Sequence, residues 1–288
     1  MSHTTLISAE ALRGLLDARA PSLVVLDVSF DLADPTAGQA AYAAGHLPGA
    51  LYAHLERDLS APKSAPGQPP RGRHPLPTRD EFAATAGRWG ITPASQVVVY
   101  DRQGGMYCVR AWWMLKWLGH EAVAVLDGGL AAWQAAGGTL STEQPLPPAQ
   151  PPYPCAAPVA RAVNAEELQA RLGDPGLPLF DARAPERYRG DVEPLDPVAG
   201  HIPGANNRFF KDNLQPDGRF KPAAQLRADF ESLLGGRDPA AVVHQCGSGV
   251  TACHNLLAME VAGLGRATLY PGSWSEWCAD PARPVARG

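Results

Sequence analysis

The chain repeats itself. Ser8-Ala9-Glu10-Ala11-Leu12 is echoed by Asn164-Ala165-Glu166-Glu167-Leu168, Leu26-Asp27-Val28 by Phe180-Asp181-Ala182, and Gly45-His46-Leu47-Pro48-Gly49-Ala50 by Gly200-His201-Ile202-Pro203-Gly204-Ala205. From Val98-Val99 to Trp133 the first copy matches Val242-Val243 to Trp277 without a gap, setting Gly119 against Gly263 and Gly128 against Gly272. Such self-similarity restricts the fold to two copies of one folding unit. Ser8 and Asn164 are natural helix N-caps, and Glu167 completes a capping box with Asn164. Within each copy β-branched runs alternate with longer helical patterns: Val24-Val25-Leu26, Val97-Val98-Val99 and Val123-Ala124-Val125-Leu126, then Leu179-Phe180, Val242-Val243 and Thr268-Leu269-Tyr270. That alternation predicts an α/β fold with two tandem domains, each a mainly parallel sheet flanked by helices.

A length of 288 residues accommodates two ordinary domains. The boundary falls at the proline-rich stretch from Pro145 to Pro154, which suits neither helix nor central strand. The expected layout is a first domain over 1–144, a linker over 145–158 and a second domain over 159–288. The stretch from Ala61 to Pro77, rich in proline and glycine and without periodicity, is expected to be a surface excursion of the first domain. A net charge of −4 and no Lys/Arg run argue against nucleic acid or a membrane surface as partner, and favour a small molecule. The segment Met1 to Ile7 lacks the pattern of a secretory signal and no run is long enough to span a bilayer, so a cytoplasmic location is expected. Five irregularly spaced cysteines do not resemble a disulfide framework, consistent with a reducing compartment.

One cysteine stands apart. Cys246 follows the apolar Ala241-Val242-Val243 and opens the run Cys246-Gly247-Ser248-Gly249-Val250-Thr251-Ala252-Cys253 ahead of a helical pattern. A strand-end cysteine followed by glycines allows backbone N–H groups and the positive end of the helix to face its sulfur, favouring the reactive thiolate. A buried cysteine in a tight turn is the commoner fate of the residue, but the glycines directly after it favour a functional one. Aligned without gaps, Cys246 faces Arg102 in the loop Asp101-Arg102-Gln103-Gly104-Gly105-Met106-Tyr107, so only the second copy has a nucleophile. The first domain is then expected to supply substrate contacts and cover. Cys108, Cys155 and Cys278 read as structural or incidental. Cys253 reads as a packing residue, because seven helical residues rise about 10.5 Å, too far for a disulfide. A cysteine phosphatase needs an arginine six positions after the nucleophile, and position 252 is alanine. His244, Cys246, Cys253 and His254 lack the close Cys-x-x-Cys pairs of structural zinc sites, and Gly247-Ser248-Gly249 lacks the rest of a nucleotide-binding motif.

The duplicated Gly-His-x-Pro-Gly-Ala segments, Leu126-Asp127-Gly128-Gly129-Leu130-Ala131-Ala132-Trp133, Tyr270-Pro271-Gly272-Ser273-Trp274-Ser275-Glu276-Trp277 and the cysteine in the second copy together resemble the rhodanese superfamily, specifically its tandem-domain sulfurtransferases, from Ser8 to about Pro284. The resemblance implies sulfur transfer through a Cys246 persulfide without metal or organic cofactor. The Cys-Gly-Ser-Gly-Val loop is similar to that of the 3-mercaptopyruvate branch; thiosulfate enzymes usually carry basic residues after the cysteine, where this chain has Gly247 and Ser248. A compact dianion needs more positive charge beside the sulfur than a carboxylate with a ketone does.

By the same resemblance Ser248 and the first-domain histidine His46 act as proton donors, with Asp34, or else Asp31, behind His46; an ordinary turn histidine is the alternative, since His201 occupies the same motif in the second copy. Arg187 would hold the substrate carboxylate, its planar fork suiting bidentate contact, and the amides of Gly247, Gly249, Val250 and Thr251 would cradle the persulfide. Implied partners are a small sulfur donor and an acceptor: a thiol such as thioredoxin or a small thiol, or cyanide. The chain departs from the mercaptopyruvate pattern at Glu193-Pro194-Leu195, where a second arginine is usual; Arg102, Arg110, Arg183 and Arg189 are the candidates to compensate. Alternatives are a thiosulfate sulfurtransferase and a non-enzymatic persulfide carrier.

Overall fold

The computed structural model describes residues 2–20, 22–65, 67–147 and 150–288. Two sheets carry the fold. The first contains β1 (Leu6–Ile7), β2 (Leu23–Asp27), β3 (Leu51–Tyr52), β4 (Gln96–Tyr100) and β5 (Val123–Leu126), in the order β1-β5-β4-β2-β3. The second contains β6 (Arg161–Ala162), β7 (Leu179–Asp181), β8 (Ala205–Asn207), β9 (Val243–Gln245) and β10 (Thr268–Leu269), in the order β6-β10-β9-β7-β8. All pairings are parallel, and the orders are identical once the copies are superposed by sequence. The central strands are buried over most of their length, β4 from Val97 and all of β5 reading as apolar runs because helices cover both faces of a parallel sheet.

The expected caps form. Ser8 accepts the Ala11 N–H ahead of the helix Ala9–Asp17, and Asn164 and Glu167 close a reciprocal capping box ahead of the helix Ala165–Gln169. Each core is built from corresponding positions: Leu12, Leu47, Leu126, Leu130 and Trp133 in the first copy, Leu168, Ile202, Tyr270, Trp274 and Trp277 in the second.

The chain divides into two compact units whose membership is not simply sequential. The first comprises Met1–Ser60, Pro77–Val159 and Gln215–Phe220; the second comprises Ala61–Leu76, Ala160–Leu214 and Lys221–Gly288. The stretch expected to be an excursion of the first domain therefore groups with the second. Its described residues form no helix or strand, and side chains fix it instead: the Arg73 N–H donates to Ser275 Oγ at 2.9 Å, and His74 is only 1% exposed. Of the expected linker, Pro148 and Ala149 lie outside the described residues. Among the described residues, no helix is long and apolar enough to cross a membrane.

Candidate active site

Strand β9 ends at Gln245, and the next residue is Cys246, 1% exposed. From there Gly247 to Thr251 bend round without helical structure into the helix Ala252–Val261. A second loop holds this turn in place. The Cys246 N–H donates to Ser273 Oγ at 3.1 Å, the Cys246 carbonyl accepts from Trp274 N–H at 3.0 Å, and the Gly247 carbonyl accepts from Ser275 N–H at 2.9 Å. Ser273 takes a left-handed backbone (φ 55°), uncommon for a residue with a side chain, while its own hydroxyl donates to the Tyr270 carbonyl at 2.9 Å. Gly249 has φ 72° and lies so close to the Pro271 carbonyl that a Cβ there would collide with it. The glycines thus let the nucleophile loop press onto its supporting loop.

Three polar groups converge on this turn. His74 Nδ1 lies 2.8 Å from Ser248 Oγ, and both residues are buried. Arg187, from the short helix Pro185–Arg189, and Arg73 flank Gly247: a Cβ placed on that glycine would sit 3.2 Å from Arg73 Nη2 and 3.6 Å from Arg187 Nη1. Both arginines are anchored by carboxylates. Arg187 Nη2 donates to Glu193 Oε1 at 2.7 Å and lies 3.4 Å from Asp196 Oδ2, while Arg73 Nη1 meets Asp196 Oδ1 at 2.7 Å. Arg183 serves elsewhere. Its guanidinium, 3% exposed, grips Asp181 at 2.7 Å and the Gly200 carbonyl at 2.7 Å, and lies over the Trp274 ring. Burial alone would lower its pKa, but Asp181 and Glu193 outweigh that and raise it.

The remaining candidates fall as follows. His46 is fully buried in the first unit, with Nδ1 2.8 Å from the Tyr42 carbonyl and Nε2 2.8 Å from the Glu143 carbonyl, its ring stacked on Tyr42 at 3.8 Å. His201 repeats this arrangement on Tyr188, with Nδ1 2.8 Å from the Tyr188 carbonyl and the rings 4.0 Å apart. The shared histidine is thus a packed motif residue in both copies. Asp34 is exposed and accepts from the Thr36 N–H and hydroxyl, which lowers its pKa; Asp31 likewise caps Ala33. Val250 and Thr251 accept the N–H groups of Cys253 and His254 through their carbonyls, tying the loop to the helix start. Burial, then Asp196, pushes the Cys278 thiol up to about 11, and burial with Asp101 raises Cys108 well above the ordinary thiol range, so neither is an ionised nucleophile at neutral pH.

Of the arginines proposed to replace the one absent at Leu195, Arg183 is committed to Asp181 and Arg189 pairs with Asp191 on the surface. Arg110 is fully buried in the first unit and Arg102 bonds there to the Gly45 carbonyl. Arg73 is the one beside Gly247. Together with His74 it was missed in the sequence because Arg71-Gly72-Arg73-His74-Pro75 lies in an aperiodic stretch. A usable signal existed: a structureless connection of this length inside a compact protein is usually functional.

The first copy shows what this loop geometry favours. There Asp101 occupies the position of Gln245, and its carboxylate accepts the N–H groups of Gln103, Gly105, Tyr107 and Cys108 at 2.8–3.0 Å. The loop after the strand therefore converges amides on an anion. In the second copy the Gln245 side-chain oxygen accepts no hydrogen bond among the described residues.

Rhodanese-like domain models match residues 8–136 and 164–280, one on each copy. The chain belongs to the rhodanese-like family. Among its relatives is a Pseudomonas aeruginosa protein named "Probable 3-mercaptopyruvate sulfurtransferase", 51% identical over 290 residues and covering 100% of both chains. A Mycobacterium tuberculosis protein provisionally named thiosulfate sulfurtransferase SseB is 44% identical, over 98% of this chain and 97% of its own. Among solved structures, the 3-mercaptopyruvate sulfurtransferase from Leishmania major superposes with a TM-score of 0.81 at 30% identity, covering 96% of this chain and 74% of that one. The tandem rhodanese-like architecture read from the repeat is thus the observed one.

Proposed function

We propose that this rhodanese-like protein is a sulfurtransferase that takes sulfur from 3-mercaptopyruvate onto Cys246, releases pyruvate, and passes the sulfur to a thiol or to cyanide. The observation that carries this reading is the convergence at one turn of a strand-end cysteine, the Ser248–His74 pair and two arginines beside Gly247.

In the first step the Cys246 thiolate attacks the substrate sulfur, forming an S–S bond as the carbon–sulfur bond breaks. The electron pair leaves on carbon as the enolate of pyruvate. Protonation of that carbon yields pyruvate, and Ser248, two residues from the cysteine and hydrogen bonded to His74, is the proton donor. Arg187 holds the carboxylate by a planar fork that two tethering carboxylates keep in place. The turn of amides from Gly247 to Thr251 stabilises the outer sulfur of the persulfide as an anion, as the first copy's loop does for Asp101. In the second step the acceptor thiolate or cyanide attacks that outer sulfur and the Cys246 thiolate departs.

Thiosulfate is the competing donor, favoured by the Mycobacterium tuberculosis relative. Charge around the site weighs against it. Arg73, Arg183 and Arg187 are matched by Asp181, Glu193 and Asp196, leaving no cationic surplus for a dianion. The test is pyruvate release from mercaptopyruvate with a thiol acceptor, run beside thiosulfate. Catalytic pyruvate release that disappears in Cys246→Ser supports the reading. Turnover of thiosulfate alone would establish the competitor, and stoichiometric loading without turnover would make the protein a persulfide carrier.

A further inference from the structure

The loop that braces the nucleophile turn has a second face. Behind Tyr270, Pro271 and Gly272 lies a cavity of about 330 Å³, at the small end of the range for small-molecule sites, and every residue lining it belongs to the second unit. Its walls carry the polar side chains of Arg71, Asn164, Glu167, Tyr270 and Glu276. We propose that this cavity binds a free α-amino acid, its ammonium against Glu276 and Tyr270 and its carboxylate against Arg71.

Three groups here are unmatched. Tyr270 is fully buried, and its hydroxyl, though it faces the Glu276 carboxyl, makes no hydrogen bond of ordinary geometry among the described residues. Glu276 is half-buried and its carboxylate has no base within ion-pair distance among the described residues; Arg283, which acts on it from farther off, pairs with Glu166 and Asp280 instead. The Arg71 guanidinium donates to the Leu76 carbonyl at 3.0 Å and meets no carboxylate among the described residues. Opposite charges thus line one cavity within electrostatic reach of each other, yet do not pair. Burial raises the pKa of the Glu276 carboxyl, and an ammonium beside it restores the charged form. A zwitterion satisfies both ends at once, where a simple anion or cation leaves one of them unmet. A metal ion fits less well, since no three carboxylate, imidazole or thiolate side chains converge among the described residues.

The internal repeat shows that the fold does not require this lining. With Gly128 set against Gly272, the places of Tyr270 and Glu276 are held in the first copy by Leu126 and Ala132. Leu126 packs in the first core as Tyr270 does in the second, so the hydroxyl and the carboxylate are additions of the second copy. Gly272 makes room for them: a Cβ there would collide with the Glu276 carboxylate, which folds back over the loop. The same loop holds Cys246 through Ser273 and Gly247 through Ser275, so an occupant of the cavity presses on the support of the nucleophile.

The test is a ligand-observed NMR titration of the full chain with L-alanine at neutral pH, run beside ethylamine and propionate, which carry one charge each. L-Alanine is expected to saturate one site and to bind at least about tenfold more tightly than either half-ligand. Glu276→Gln and Arg71→Ala should each weaken L-alanine about tenfold or more, the loss of a charge-assisted contact. Arg71 is exposed, so its variant reads the site even if Glu276→Gln folds poorly. Arg187→Ala should leave binding unchanged, which separates this cavity from the nucleophile turn. Failure of L-alanine to saturate, equal affinity for L-alanine and ethylamine, or loss of binding in Arg187→Ala but not in Glu276→Gln would overturn the assignment. Binding is read without turnover, so the outcome stands whether or not the protein uses mercaptopyruvate.

Discussion

Two histidines illustrate how far a motif carries at the level of single residues. His46 is conspicuous in the sequence because its motif occurs twice, yet repetition follows from a structural need: the ring stacks on Tyr42 and lies against that tyrosine's carbonyl, as His201 does on Tyr188 farther back along the chain. His74 has no periodic context, but its ring lies against Ser248. The substitutions should separate accordingly. Ser248→Ala and His74→Asn are each expected to lower kcat for pyruvate release, by about 10²–10⁴-fold for a lost proton donor, at nearly unchanged melting temperature. His46→Ala should instead lower the melting temperature, because a hydrogen bond to a backbone carbonyl and a stacked ring are lost, about 1–3 kcal/mol in all. A large fall in kcat for His46→Ala with normal stability would return the role to His46. The strand-end position and following glycines of Cys246 were legible as a local pattern, whereas Ser248 and Arg187 were singled out only through the family resemblance. Arg73 and His74 were not, because their partners lie far along the chain and no periodicity marks their segment.

At the level of the element, β9 carries the nucleophile at its end and an unusual histidine at its centre. His244 is fully buried, with Nε2 3.1 Å from Met259 Sδ. Burial first, then the Arg208 guanidinium, pushes its pKa down to about 3, so the folded strand holds it neutral. The sign follows from proton uptake. An unfolded histidine protonates near pH 6.5, whereas the folded one does not until about pH 3. Between those values the unfolded chain binds the extra proton, and folding stability falls on acidification by up to about 1.4 kcal/mol per pH unit from this group. Denaturant midpoints measured at pH 7 and pH 5 should therefore lie closer together in His244→Gln than in the wild type. Equal pH sensitivity in the two proteins would show that His244 is not kept neutral. Strand and helix positions were readable because apolar runs and caps are local signals. The assignment of Ala61–Leu76 to the second unit was not, since side-chain bonds rather than periodicity fix that segment.

Across the whole molecule, one sheet topology occurs twice and yet only the second copy has a cysteine at the loop position after the central strand, where the sequence alignment sets Arg102 in the first. The difference lies in two coupled exchanges. In the second copy Arg183 neutralises the buried Asp181 and bonds the Gly200 carbonyl, which leaves the loop position after the strand open for Cys246. In the first copy Ser29 stands where Arg183 would, and the arginine comes from the loop position itself: Arg102 Nη2 reaches Asp27 Oδ2 at 3.4 Å and the Gly45 carbonyl at 2.7 Å. The nucleophile's place is thus spent on a buried charge, and Asp101 has already gathered the loop amides. Restoring a thiol should therefore not restore function. In a Cys246→Ser background, Arg102→Cys is expected to show no pyruvate release. It should also destabilise the protein by about 2–3 kcal/mol, less than the full cost of stripping a buried pair because the arginine is itself partly exposed. Adding Asp27→Asn should recover part of that loss, as the stranded charge disappears. Pyruvate release from the Arg102→Cys protein would mean that the first loop keeps an anion cradle despite Asp101, and that loss of the cysteine alone silenced it.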